Sequence, residues 1–150
     1  MSQVSKRKLD KEIENEMFIQ FWNSLSKIEG PKSASDFFSD LLTNTEKYML
    51  AKRLTCAILL VRNRSATDIR NSIHITYSTI GSVASWVKNA KPGTQQILIQ
   101  ISKEQSWQKI IDQIDALLDK LPPRYGSDWS QAGKKKYEQA IKRSARNNLR

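Results

Sequence analysis

The chain holds little with which to do metal or covalent chemistry. One cysteine, Cys56, and one histidine, His74, provide no set of soft or imidazole ligands from which a zinc site could be assembled. No Gly-rich phosphate loop, nucleophile elbow or paired-carboxylate motif can be read along the 150 residues, so no enzyme, metal or cofactor is expected. Long hydrophobic runs are also missing. The longest uncharged apolar stretches, such as Cys56–Val61, fall far short of the roughly 20 residues that span a bilayer, and the polar N-terminus lacks the apolar segment of a secretory leader. A soluble, cytoplasmic chain without a membrane partner is the expectation. Repeats and low-complexity segments are missing too, and the length suits one ordinary domain, able to bury a core without disulfides.

Acidic residues are scarce relative to basic ones. Fifteen Asp+Glu against 25 Lys+Arg leave a net charge of +10, which attracts polyanions; charge alone does not choose between nucleic acid and an anionic surface. The excess is localised. Residues 122–150 carry a net +6 and residues 31–92 a net +5, while the remaining segments together come to −1.

Hydrophobic spacing is helical almost everywhere. Leu9, Ile13, Met17, Phe21, Leu25 and Ile28 recur at three- and four-residue intervals, widened by Phe18 and Trp22, and predict an amphipathic helix over about Lys6–Ile28, ended by Gly30-Pro31. That stripe exceeds what a short neighbour can cover, so residues 1–30 are expected to form a dimerisation helix. Ser35 reads as the cap of a short helix through Leu42. Thr43-Asn-Thr-Glu46 fits a capping box and predicts a long central helix, apolar nearly all round in its second half, where Cys56 reads as core. After Lys91-Pro92-Gly93, the spacing of Trp107, Ile110, Ile111, Ile114, Leu117, Leu118 and Leu121 predicts one helix over 94–121. Ile97–Ile101 is added to it because no second strand candidate exists to pair with these β-branched residues.

Between the central helix and Pro92 lies the segment that points to a function. Ser65 can cap a helix Ala66–Ile73, and Thr76 or Ser78 another running to about Asn89, with a link of only a few residues. Ile69, Ile73, Ile75, Ile80 and Val83 fall at the offsets that bury the inner faces of two crossing helices. Thr76, Tyr77, Ser78, Thr79 and Ser82 are left on the outer, N-terminal part of the second helix, and Lys88 lies near its end. A helix so placed can enter the major groove and offer hydroxyls to phosphates, base edges or bridging water. A helical hairpin with a Ser/Thr-rich surface would show the same pattern.

The blocks Phe37-Phe38-Ser-Asp-Leu41-Leu42-Thr43-Asn-Thr-Glu46, Leu50-Ala51-Lys52-Arg53-Leu54, Ile58-Leu59-Leu60, Ser65, Asp68-Ile69 and Ser78-Thr79-Ile80, in this order, resemble the tryptophan repressor-like superfamily over about residues 37–87. The YerC/YecD-like branch is the nearest in style. The resemblance implies an all-α fold, with a helix-turn-helix core over residues 33–90, added N- and C-terminal helices and an intertwined homodimer. It also implies a transcriptional regulator, a repressor, that binds double-stranded DNA. In that superfamily a threonine and an arginine corresponding to Thr43 and Arg53 hold the corepressor, with a further arginine where this chain has Ser82. Serine offers only a neutral hydrogen bond to a carboxylate, so no tryptophan corepressor is expected. N-capping is role enough for Thr43, and Arg53 can pair with an acidic neighbour or a phosphate. His74 stands where the family pattern has glycine and Arg70 where it has a small residue, which predicts a turn that is strained, reshaped or longer by a residue.

The remaining segment, 122–150, reads as a basic arm. Lys134, Lys135, Lys136, Lys142 and Arg143 suit phosphate contacts, either on a helix capped by Ser130 with Tyr137, Ile141 and Ala145 along one side, or on a solvated tail. Three functions remain open: a homodimeric sequence-specific DNA-binding regulator, an architectural or RNA-binding protein that relies on the arm, and a protein-interaction module built on the N-terminal helix.

Overall fold

The computed structural model describes residues 9–123 and 126–148, and these contain eight α-helices and no strand. They are α1 (Lys11–Leu25), α2 (Gly30–Leu41), α3 (Asn44–Val61), α4 (Ala66–Ile73), α5 (Tyr77–Asn89), α6 (Pro92–Lys103), α7 (Gln105–Asp119) and α8 (Trp129–Asn148). The all-α expectation holds. Residues 6–8 of the first expected helix lie outside the described residues. The chain divides after Tyr48 into two compact units.

In the first unit, Asp10 caps α1 by accepting from the Glu12 amide at 2.9 Å. No residue of α1 or α2 is buried, and Ile13, Met17, Phe18, Phe21 and Trp22 are all exposed. The Gly30-Pro31 pair begins a helix rather than ending one. Gly30 takes φ +78, a conformation open to glycine, and Pro31 supplies the fixed φ that suits a first helical turn. Ser35 therefore lies inside α2 and is not its cap. The Thr43 capping box forms as its sequence predicts: the Thr43 amide donates to Glu46 Oε2 at 2.9 Å, and the Glu46 amide donates back to Thr43 Oγ1 at 3.3 Å.

The second unit holds the core. Cys56, Ala57, Ile58 and Leu59 of α3 are buried with Ile69 of α4, Ile80 and Val83 of α5, Leu98 of α6 and Ile111 and Ile114 of α7. Burying each large aliphatic side chain contributes about 1.5–3 kcal/mol. Helix α7 organises the unit, since α4, α6 and α8 all pack against it. The single helix expected over 94–121 is two helices. Glu104 adopts an extended conformation between α6 and α7, within the polar run Ser102–Ser106, and the Ser102 hydroxyl turns back to the Ile99 carbonyl at 2.7 Å. Ile97–Ile101 is helical.

Helix α8 is anchored by polar contacts. Asp112, Asp115 and Asp119 follow one another at three- and four-residue steps along one side of α7. Arg146 bonds to Asp112 at 3.2 Å, Arg143 bonds to Asp119 and lies 3.9 Å from Asp115, and Asp115 also takes Arg64 at 2.7 Å. Lys136 Nζ donates to the carbonyls of Asp119, at 3.0 Å, and Leu121. The N-terminal cap of α8 is Asp128, which accepts from the Ser130 and Gln131 amides, so Ser130 is not the cap. Tyr137, Ile141 and Ala145 share an exposed side of this helix.

Candidate nucleic-acid interface

The two helices that carry the Ser/Thr-rich surface are each started by a hydroxyl. Ser65 Oγ accepts from the Asp68 amide at 3.1 Å and opens α4; Thr76 Oγ1 accepts from the Thr79 amide at 3.2 Å and opens α5. The choice between Thr76 and Ser78 as cap thus falls to Thr76. Between them the chain turns at His74, whose φ of 51 and ψ of 60 lie in the left-handed region. This is how the turn accommodates a histidine where the family pattern has glycine: the residue adopts glycine's conformation, its amide closes α4 onto the Arg70 carbonyl at 3.0 Å, and Lys52 Nζ reaches its carbonyl at 3.4 Å. Ile69, Ile80 and Val83 are buried, with Ile73 and Ile75 packed against them, so all five apolar positions face inward.

The outer surface of α5 follows. Thr76, Tyr77, Ser78, Ser82 and Lys88 are exposed, and Thr79 is half-buried. Sequence reading missed what holds Tyr77: the Arg70 guanidinium of α4 lies over its ring, 5.0 Å from the centroid, and the Tyr77 hydroxyl points to Thr67 Oγ1 at 3.5 Å. In the sequence alone Arg70 is only a departure from the family pattern. The pair joins residues seven apart across a turn, where helical spacing gives no signal. Beside it Arg70, Asn71, His74, Ile75, Thr76 and Thr79 line an open cleft of about 550 Å³.

A second cleft, about 390 Å³, lies between α3 and α5 and is lined by Leu50, Arg53, Leu54, Ser82, Val83 and Trp86. Arg53 is the only charged residue in that lining, and it makes no ion pair among the described residues. The Ser82 hydroxyl donates to the Ser78 carbonyl at 3.0 Å. In the first unit, the Thr43 hydroxyl is bonded to Glu46 Oε2 at 2.7 Å.

The arm residues separate into two groups. Lys134, Lys135 and Lys142 are exposed, whereas Lys136 is half-buried and Arg143 only 9% exposed. The last two hold α8 to α7 and do not present their charge to a phosphate in this arrangement.

A model of the Trp repressor protein family matches residues 16–102, more than half of the chain. The chain belongs to that family. The match extends beyond the blocks quoted above, from α1 to the end of α6, and takes in the two-helix motif and both clefts. No curated protein and no solved structure matches the chain. The Trp repressor family consists of helix-turn-helix DNA-binding regulators rather than enzymes, and α4, the His74 turn and α5 form that motif here. Among the described residues no group of three or more His, Cys, Asp or Glu side chains could hold a metal ion, and no helix is long and apolar enough to cross a membrane.

Proposed function

We propose that this Trp repressor family member is a homodimeric, sequence-specific DNA-binding transcriptional repressor that inserts the N-terminal half of α5 into the major groove. The observation that carries the reading is the state of α5: its inner face is locked into the core by Ile80 and Val83, while Thr76, Tyr77, Ser78 and Ser82 face solvent around a capped first turn. Thr79 sits at the margin of that face, and Lys88 supports it from the far end. The exposed apolar residues of α1 support the homodimer, because Ile13, Met17, Phe18, Phe21 and Trp22 are all exposed along one helix and large exposed apolar patches mark interaction surfaces. Two motifs related by a dyad then meet half-sites about 34–36 Å apart. On this reading, Lys134, Lys135 and Lys142 contact phosphates flanking the half-sites, and the protein acts inside the cell, on its DNA.

The exposure of these three lysines also favours a second reading, sequence-blind binding of DNA or RNA through α8. Selection of bound sequences from a random duplex pool, with sedimentation of the full chain alongside, separates the two. The first reading requires a dimer and an enriched, pseudo-palindromic sequence; a monomer that enriches nothing overturns it.

A further inference from the structure

From Ile75 to Val87 the chain contains no charged side chain and no side-chain amide. The groups that read guanine and adenine through paired hydrogen bonds, guanidinium or ammonium for the one and amide for the other, are therefore missing from this stretch of α5; Arg70 and Asn71 of α4 line the cleft beside it, and the Arg70 guanidinium lies over the Tyr77 ring. Hydroxyls remain, yet most are already engaged. Thr76 Oγ1 receives the Thr79 amide and lies 3.0 Å from Thr79 Oγ1, and Ser82 gives its hydrogen to the Ser78 carbonyl. Pinning a threonine oxygen also fixes χ1, and with it the methyl on the same carbon. The other large outward group is the Tyr77 ring, half exposed, with Arg70 stacked on one face. Ser78 adds an exposed hydroxyl, which can bond to any base edge, so the selective groups this turn can offer are hydrocarbon: the Tyr77 ring and the methyls of Thr76 and Thr79. The major groove has one hydrocarbon counterpart, the 5-methyl group of thymine.

We infer that the N-terminal turn of α5 selects thymine by its 5-methyl group, through Tyr77 and the methyls of Thr76 and Thr79, so that the preferred target is duplex DNA built of A·T pairs in the contacted steps. The inference rests on the DNA-binding reading above and sharpens it. Arg70 acts as a positioning residue, keeping the ring at the groove edge.

The test uses the full chain and alternating dA·dT, dA·dU and dG·dC duplexes of equal length, titrated by fluorescence anisotropy. The dA·dU duplex differs from dA·dT only in lacking the methyl groups. Burying one methyl corresponds to about 0.8 kcal/mol, or about fourfold in affinity, so dA·dT is expected to bind at least about fourfold more tightly than dA·dU, and dG·dC more weakly than dA·dT. Thr76→Ser with Thr79→Ser keeps both hydroxyls and removes only methyls; it should shrink the ratio of dA·dT to dA·dU affinity toward one. Tyr77→Phe should keep the preference. Equal affinity for dA·dT and dA·dU, or tighter binding of dG·dC, overturns the thymine inference while leaving DNA binding standing. No binding to any of the three at low salt overturns the DNA-binding reading itself.

Discussion

Arg143 of α8 reaches across to Asp119 of α7, buried at the point where the chain is most basic. The pair makes a cation that the sequence offers to a phosphate into part of the fold. Breaking a buried pair by removing one partner leaves an uncompensated charge and typically costs about 3–5 kcal/mol where burial is complete; with Asp119 still partly exposed, a smaller loss is expected. Arg143→Met should therefore release α8, seen as lost helicity and early proteolysis within residues 126–148. The triple change Lys134→Gln, Lys135→Gln and Lys142→Gln should leave the fold intact and flatten the salt dependence of DNA binding by about one unit of slope per phosphate contact removed. Equal loss of helicity in both variants would count against this division.

Gly81 lies in the middle of α5, exposed, and a Cβ added there would meet nothing within 4 Å. Glycine in a helix interior costs about 0.5–1 kcal/mol relative to alanine. Gly81→Ala should raise the unfolding free energy by about that amount in urea titration. If the outer face of α5 enters a groove, the same change should weaken duplex binding several-fold, because the added methyl stands between helix and DNA.

At the turn, His74 holds a left-handed conformation that glycine adopts without a Cβ penalty. His74→Gly should stabilise the native state by up to about 1 kcal/mol, the relief of strain being partly offset by the greater freedom of glycine in the unfolded chain. Thermal unfolding of the variant checks this; a fall in midpoint would mean that the imidazole makes a stabilising contact.

Burial pushes the Cys56 thiol above its ordinary value, because desolvation penalises the thiolate. The folded state then keeps its proton at a pH where the unfolded chain has begun to lose it. This contribution is fully present below the unfolded thiol's pKa and declines as pH rises above it. Stability should fall above about pH 9 by more in the native sequence than in Cys56→Ala, measured as the difference between urea midpoints. Alkylation of Cys56 should be slow in the native protein and fast in denaturant.

Free tryptophan should leave the affinity for any selected duplex unchanged. Ser82 contributes no positive charge to the cleft that it lines with Arg53, and its hydrogen is already given to the Ser78 carbonyl. A calorimetric titration with tryptophan, with and without duplex, measures this; strong tryptophan-dependent tightening would reverse the assignment.

Much of what lies within about one helical turn was legible in the sequence, the Ser35 and Ser130 caps excepted: α2 begins at Gly30, and Asp128 caps α8. The Thr43–Glu46 box, the Ser65 and Thr76 caps and the five apolar positions of the motif all depend on spacings of a few residues, and the structure reproduces each. Local reading misjudged features whose local signals have two meanings. Gly30-Pro31 both stops one helix and suits the first turn of the next, and the polar run around Glu104 carries no proline or glycine to announce a break. The anchoring of α8 was illegible for a different reason. Its partners are 24 and 34 residues apart in the chain, and nothing in a basic run says which cations will find carboxylates on a distant helix. For the same reason, the sequence could nominate Tyr77 but not the Arg70 stacked over it.

The ionic attachment of α8 also bears on how this chain can change over time. A helix seated in a hydrophobic groove must keep volumes matched to its neighbour, so each substitution constrains the next. Helix α8 needs mainly a few charges in register with Asp112, Asp115 and Asp119, while Trp129, Tyr137 and Ile141 stay exposed and free to drift. The C-terminal segment can therefore be remodelled by successive substitutions, gaining or shedding its own contacts, while the two-helix motif is inherited intact.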